Sequence, residues 1–307
     1  MPRLVPCIAA ALLALAASLP ARAATDGLRE AWARRLASRT VDLPAGVRVV
    51  RDVAYGSDPR QRFDVYMPTN ARQAPVILLV HGGAWRNGDK AMRNVVQNKV
   101  ARWVPRGFVV ISTNYRLLPD AAPLQQAQDV AQALALAQRR AAEWGGDRRG
   151  FILIGHSAGA HLVALLAAAP SIARDRGAGP WLGTVALDSA ALDVVRIMQS
   201  RHLPLYDRAF GSDPAGWLAV SPQQQLQARA APFLAVCSSR RTDSCPAAQA
   251  FVDKAIAWGG RAQTLPEDLS HAQINELLGT PGDYTTQVEA FLRGLGPDVA
   301  HALDYGR

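Results

Sequence analysis

Ser157, His271 and a cluster of glycines near residue 82 stand in contexts suited to nucleophilic chemistry. Phe151-Ile152-Leu153-Ile154 reads as a strand buried on both faces, and Gly155-His156-Ser157-Ala158-Gly159 follows it. Ala160-His161-Leu162-Val163 then continues as a small-residue helix. A serine on a sharp strand-to-helix turn holds its hydroxyl clear of a sheet, with the helix N-terminus adding positive partial charge beside it. The flanking glycines leave room for a backbone that any side chain would strike. His81-Gly82-Gly83-Ala84-Trp85 follows a second apolar run, residues 76–80. A glycine loop at a strand end turns its N–H groups toward one point, which is what a tetrahedral oxyanion requires. The donors expected are the amides of Gly83 and Ala84, with that of Ala158 beside the nucleophile.

His271 lies in a polar loop after a short strand pattern at residues 263–265 and before a helix, where a general base can reach the serine. Of the other five histidines, His81 is expected to shape the glycine loop. His156 should point away from the catalytic face and His161 should pack or cap. His202 and His301 lie in less patterned segments. The orienting acid is expected at the end of the strand before last, residues 232–237, where Asp243 is the one carboxylate in the loop. Asp188, Asp193, Glu267 and Asp268 are its rivals, and an ion pair with Arg240 or Arg241 is the alternative use of Asp243. Cys237 and Cys245 bracket this loop, and a disulfide between them would pin its ends.

These groups need a scaffold that lines up strand ends. Apolar runs at residues 76–80, 108–112, 151–154, 185–187 and 233–236 alternate with helical patterns, the longest at 124–144. That alternation predicts an α/β chain with a mostly parallel sheet covered by helices on both faces. Residues 47–54 and 62–67 are joined by a short turn and predict an antiparallel edge. Residues 192–227, punctuated by Pro204, Gly211, Pro214 and Pro222, predict a lid-like excursion over one end of the sheet. Residues from 296 on are expected to form a loose tail.

Arg3, an Ala/Leu run at residues 8–19 and Ala21-Arg22-Ala23 read as a cleavable export signal over residues 1–24, leaving 25–307 as a single domain, periplasmic or secreted. A dozen apolar residues fall short of the roughly 20 that span a bilayer, so no stable membrane insertion is expected after cleavage. The formal charge of +9 is spread as arginine pairs without an aromatic-interleaved basic stripe, which argues against nucleic acid as a partner. No metal-ligand spacing, calcium loop or phosphate-binding glycine loop is present, so no metal and no cofactor are expected.

Several stretches together resemble the α/β-hydrolase fold serine esterases, especially bacterial carboxylesterases allied to the hormone-sensitive-lipase and feruloyl-esterase-like groups. They are Tyr55-Gly56, Arg62-Phe63-Asp64-Val65-Tyr66-Met67-Pro68, His81-Gly82-Gly83-Ala84-Trp85, Asn114-Tyr115-Arg116-Leu117, the Ser157 elbow and His271. The resemblance runs over residues 47–292. It implies an eight-stranded sheet, a small-molecule ester as substrate and hydrolysis through an acyl-enzyme. The chain departs from the group in having Ala84 where a third glycine is usual. It also has Cys237-Ser238-Ser239 where the loop usually reads His-Gly with acidic residues. Trp85 and Arg86 are expected to line the pocket, with Tyr206 and Trp217 over it, while Tyr115 and Arg116 lock a loop against the sheet. The same parts suit an amide, and a catalytically silent binding protein is the reading from outside the enzymes.

Overall fold

A computed structural model describes residues 41–304. The expected export signal, Cys7 and a helical pattern at residues 28–38 lie outside these residues. Eight strands form one sheet in the order β1-β2-β4-β3-β5-β6-β7-β8. They are β1 (Val47–Ala54), β2 (Arg62–Pro68), β3 (Ala74–Val80), β4 (Val109–Thr113), β5 (Gly146–His156), β6 (Gly183–Leu187), β7 (Phe233–Ser238) and β8 (Ala262–Glu267). β2 runs antiparallel to both β1 and β4, and β3 through β8 pair in parallel. The structure is thus a mostly parallel α/β sheet with an antiparallel edge.

The pleat explains why the central strands are apolar throughout. Val76, Leu78 and Val80 of β3 join one core layer, while Ile77 and Leu79 join the layer on the other face. Successive side chains point to opposite sides, so a strand covered on both faces has no polar alternation to show. The helices that cover it are α1 (Arg93–Trp103), α2 (Pro123–Arg140), α3 (Ala158–Ala168), α4 (Ser171–Arg174), α5 (Val194–Met198), α6 (Pro204–Phe210), α7 (Pro214–Ala219), α8 (Pro222–Gln225), α9 (Ser244–Ala257), α10 (His271–Glu276), α11 (Asp283–Arg293) and α12 (Pro297–Asp304).

The excursion is built of the four short helices α5 to α8. Proline opens three of them, and the Asp193 and Asp213 carboxylates accept first-turn N–H groups of the other start and of α7. Among the described residues, 297–304 do not form the loose tail expected from 296 on. They make α12, whose Val299, Ala302 and Leu303 are buried in the core layer that holds Ile77 and Leu79.

Candidate active site

Ser157 sits between β5 and α3 with φ +56° and ψ −117°, outside the regions that most side chains adopt. Two glycines make the turn compact. A Cβ on Gly155 would lie 2.2 Å from the Gly159 carbonyl oxygen, and one on Gly159 would lie 2.2 Å from that of Val80. The strand end is tied sideways by the Ser157 N–H, which donates to the Leu187 carbonyl of β6 at 2.9 Å. The serine oxygen therefore stands at the carboxyl end of the sheet, with α3 starting behind it.

His271, the first residue of α10, reaches back with Nε2 3.0 Å from Ser157 Oγ. Ser270 caps this helix by accepting the Gln273 N–H, and the Gln273 side chain answers at the Ser270 N–H. Two buried groups hold the helix from below. Lys99 donates to the Asn275 carbonyl at 2.6 Å, and Asn275 donates to that of Asn94 at 2.8 Å. Burial drives the Lys99 ammonium down to about 7, against the opposing charge of Glu276.

The carboxylate on the far side of His271 belongs to Asp188, not Asp243. Asp188 directly follows β6, is fully buried, and its Oδ2 lies 2.5 Å from His271 Nδ1. Its other oxygen accepts from the Ser238 N–H at 2.8 Å and from the Ser244 hydroxyl. Arg241 donates to Oδ2 at 2.8 Å. Burial alone would push the Asp188 carboxyl up. The hydrogen bonds from His271, Ser244 and Ser238, with the Arg241 charge, outweigh it and hold the group well below the usual carboxylate range. Asp243 is half-exposed and receives two nitrogens of Arg241 at 3.0 and 3.1 Å, so it is one residue removed from the imidazole. The loop after β7 supplies the donors that surround the acid, and the acid itself comes from β6.

Arg241 Nη1 also lies 2.9 Å from His271 Nδ1. A guanidinium only donates, so with the Nδ1 proton directed at Asp188 this contact is two donors converging on one carboxylate oxygen. That tautomer leaves Nε2 free to accept the serine proton.

The loop from His81 is fixed by unusual backbone. Gly83, Ala84 and Trp85 have φ of +127°, +51° and +58°. His81 Nδ1 meets the Gly82 carbonyl at 2.8 Å, its ring stacks on Tyr115, and the Tyr115 hydroxyl donates to the His81 carbonyl at 2.9 Å. Burial lowers His81 to about 4, so the ring is neutral and one nitrogen donates. Arg116 is locked by Asp129 at 2.8 Å, in line with a structural role for that segment.

Gly83, Ala84, Trp85 and Ala158 line one cavity of about 690 Å³ with Ser157, Asp188 and His271. Tyr206 borders it from the excursion. Arg86 and Trp217 do not belong to its lining: Arg86 is exposed beside a neighbouring hollow, and the Trp217 indole donates to the Gly211 carbonyl at 2.9 Å. Trp85 is almost wholly buried, and its indole donates to His161 Nδ1 at 3.2 Å. His161 Nε2–H donates to the Val220 carbonyl at 2.7 Å, tying the glycine loop to the excursion. His156 does not point away from the site. It lines the cavity, and its Nε2 meets the His271 carbonyl at 2.9 Å. Burial and the adjacent His271 lower it to about 3, so it serves as a neutral donor. Cys237 and Cys245 come together with 2.08 Å between sulfurs and 5.1 Å between Cα atoms. They directly flank Ser238 and Ser244, the two serines that donate to Asp188.

Sheet order, elbow and the alignment of Ser157, His271 and Asp188 define a protein of the α/β-hydrolase fold. Residues 63–177 match the BD-FAE family model. Among curated relatives, a probable isoprenylcysteine alpha-carbonyl methylesterase of Oryza sativa subsp. japonica, ICMEL1, is 36% identical over 118 residues, covering 38% of this chain and 27% of that protein. Esterase LipC of Mycobacterium tuberculosis is 29% identical over 62% of this chain and 50% of its own length. The probable carboxylic ester hydrolase LipM of the same organism is 28% identical over 76% and 59%. The chain thus spans between about a quarter and three fifths of the length of these relatives. Esterase B from Lactobacillus rhamnosis superposes with a TM-score of 0.68 over 92% of this chain and 96% of that one, at 20% identity, which is a likeness of fold.

Proposed function

We propose that this protein hydrolyses carboxylic esters through an acyl-enzyme on Ser157. The observation that carries the proposal is the unbroken hydrogen-bonded line Ser157–His271–Asp188, in one cavity with the amides of Gly83, Ala84 and Ala158. His271 Nε2 takes the Ser157 proton as the oxygen attacks the ester carbonyl, and the three amides hold the oxyanion. The imidazolium returns that proton to the departing alkoxide as the ester C–O bond breaks. Asp188 keeps the imidazole in the productive tautomer and steadies its charge without itself accepting the proton. Water then loses a proton to Nε2, attacks the acyl carbon, and releases the acid and the serine. The esterase and ester-hydrolase names of the relatives support the same chemistry.

The reading includes export, supported by the Arg3, apolar-run and Ala21-Arg22-Ala23 pattern, and a Cys237–Cys245 disulfide formed in an oxidising compartment. Labelling with a fluorophosphonate probe, alongside hydrolysis of p-nitrophenyl butyrate, tests the chemistry. Wild-type protein should label on Ser157 and turn over the ester, and Ser157→Ala should do neither. Labelling that persists in Ser157→Ala, or folded wild-type protein inert to probe and esters, contradicts it.

A further inference from the structure

A second cavity of about 690 Å³ adjoins the one that holds Ser157, and Ala190, Leu203, Tyr206 and Arg241 line both. The Tyr206 side chain meets the Arg241 guanidinium in this shared wall. The far side is cationic. Arg196, Arg201, Arg240 and Arg241 line it against Asp193 and Asp243. Asp243 is ion-paired with Arg241, while Asp193 accepts the Arg196 N–H as the cap of α5 and keeps its charge. Arg240 pairs with Asp268 outside the cavity. The guanidinium groups of Arg196 and Arg201 form no ion pair among the described residues, so two guanidinium forks line the cavity with Asp193 as the neighbouring carboxylate. Ile197, Pro246, Ala247 and Ala250 give the same cavity an apolar floor.

We propose that this second cavity is a subsite for a carboxylate-bearing arm of the substrate, so that the preferred esters are those whose acyl chain ends in a free acid. The inference rests on the ester-hydrolase reading and names a substrate class for it. An acyl chain attached at Ser157 would cross the Leu203–Tyr206 wall with its methylenes over the apolar floor, and its carboxylate would meet Arg196 and Arg201. Arginine suits this task because its fork matches both carboxylate oxygens at once. Unpaired positive groups around a concavity also focus the field that draws an anion in.

The test compares 4-nitrophenyl monoesters of adipic and suberic acid with 4-nitrophenyl hexanoate and octanoate, on wild type and on Arg196→Gln/Arg201→Gln. Both arginines are exposed and outside the catalytic line, so neutral esters should keep their wild-type rates. The ratio of kcat/KM for acidic over neutral ester should fall by roughly three- to tenfold in the double variant, as two exposed ion pairs permit. The wild-type ratio should fall similarly as salt is raised. An unchanged ratio, or an equal loss on both ester types, overturns the subsite while leaving the hydrolase intact. Calorimetric titration of monomethyl adipate into Ser157→Ala protein gives a readout independent of turnover. Its binding should weaken by a similar factor with the two arginines replaced; equal binding, or none to either protein, overturns the subsite even where every ester proves inert.

Discussion

Ser157 and Asp188 follow neighbouring parallel strands, and both adopt positive φ, yet their surroundings are built differently. The serine is held mainly by its own turn: Gly155 lies against the Gly159 backbone, Gly159 lies against that of Val80, and α3 begins at once. The acid is held from a distance. Ser238, Arg241 and Ser244 reach it from the loop after β7, and His271 arrives from beyond β8. A nucleophile needs a local strain that only its own turn can supply, whereas a carboxylate needs only donors, whichever strand end carries them.

Changes at the two regions should therefore differ in kind. The largest effect is expected from Gly159→Val, whose side chain would drive into the Val80 and His81 carbonyls; soluble folded protein should be lost, as read by circular dichroism and thermal unfolding. Arg241→Gln should leave a folded enzyme with kcat reduced on the order of 10- to 100-fold and KM for neutral esters nearly unchanged, since an orienting group costs less than the acid it supports. Arg241→Lys should restore part of the rate.

Acid should weaken the fold through histidines outside the catalytic line. Burial lowers His81 and His161 to about 4, against an ordinary value of 6.5. The unfolded chain gains protons that the native one refuses as pH falls from 6.5 toward 4. Stability should drop by about 1.4 kcal/mol per pH unit for each imidazole over that range, measured by urea titration, and His156, lowered to about 3, extends the loss below it. Replacing both Cys237 and Cys245 with serine should cost about 2 kcal/mol for so short a loop, and should lower kcat by loosening Ser238 and Ser244 around Asp188. The smallest change is expected from Ala84→Gly. It relieves a left-handed alanine but frees the unfolded chain, and activity should stay within about threefold of wild type.

What was legible in the sequence follows the same division. The strand runs, the elbow and the glycine loop are local patterns, and the sheet puts each where its sequence context implied. Asp243 stands in the loop after β7, where fold order expects an acid. Its partner Arg241 absorbs it, and no periodicity announces that one arginine will bridge Asp243 and Asp188. Asp188 did carry a signal, a carboxylate directly after the buried run of β6 and next to the strand of the nucleophile. A charge in that position is buried only where several donors converge on it. The inward turn of His156, the burial of Lys99 and the packing of α12 depend on contacts between segments far apart in the chain, and no local pattern encodes them.

The most direct measurement compares Asp188→Asn with Asp243→Asn on p-nitrophenyl butyrate, with folding checked for both. Asp188→Asn should lower kcat by about 10⁴-fold, as loss of the orienting carboxylate does in a serine triad, and Asp243→Asn by less than about tenfold. Near-wild-type turnover in Asp188→Asn, or the larger loss in Asp243→Asn, would contradict the assignment of Asp188 as the acid that serves His271 and Ser157.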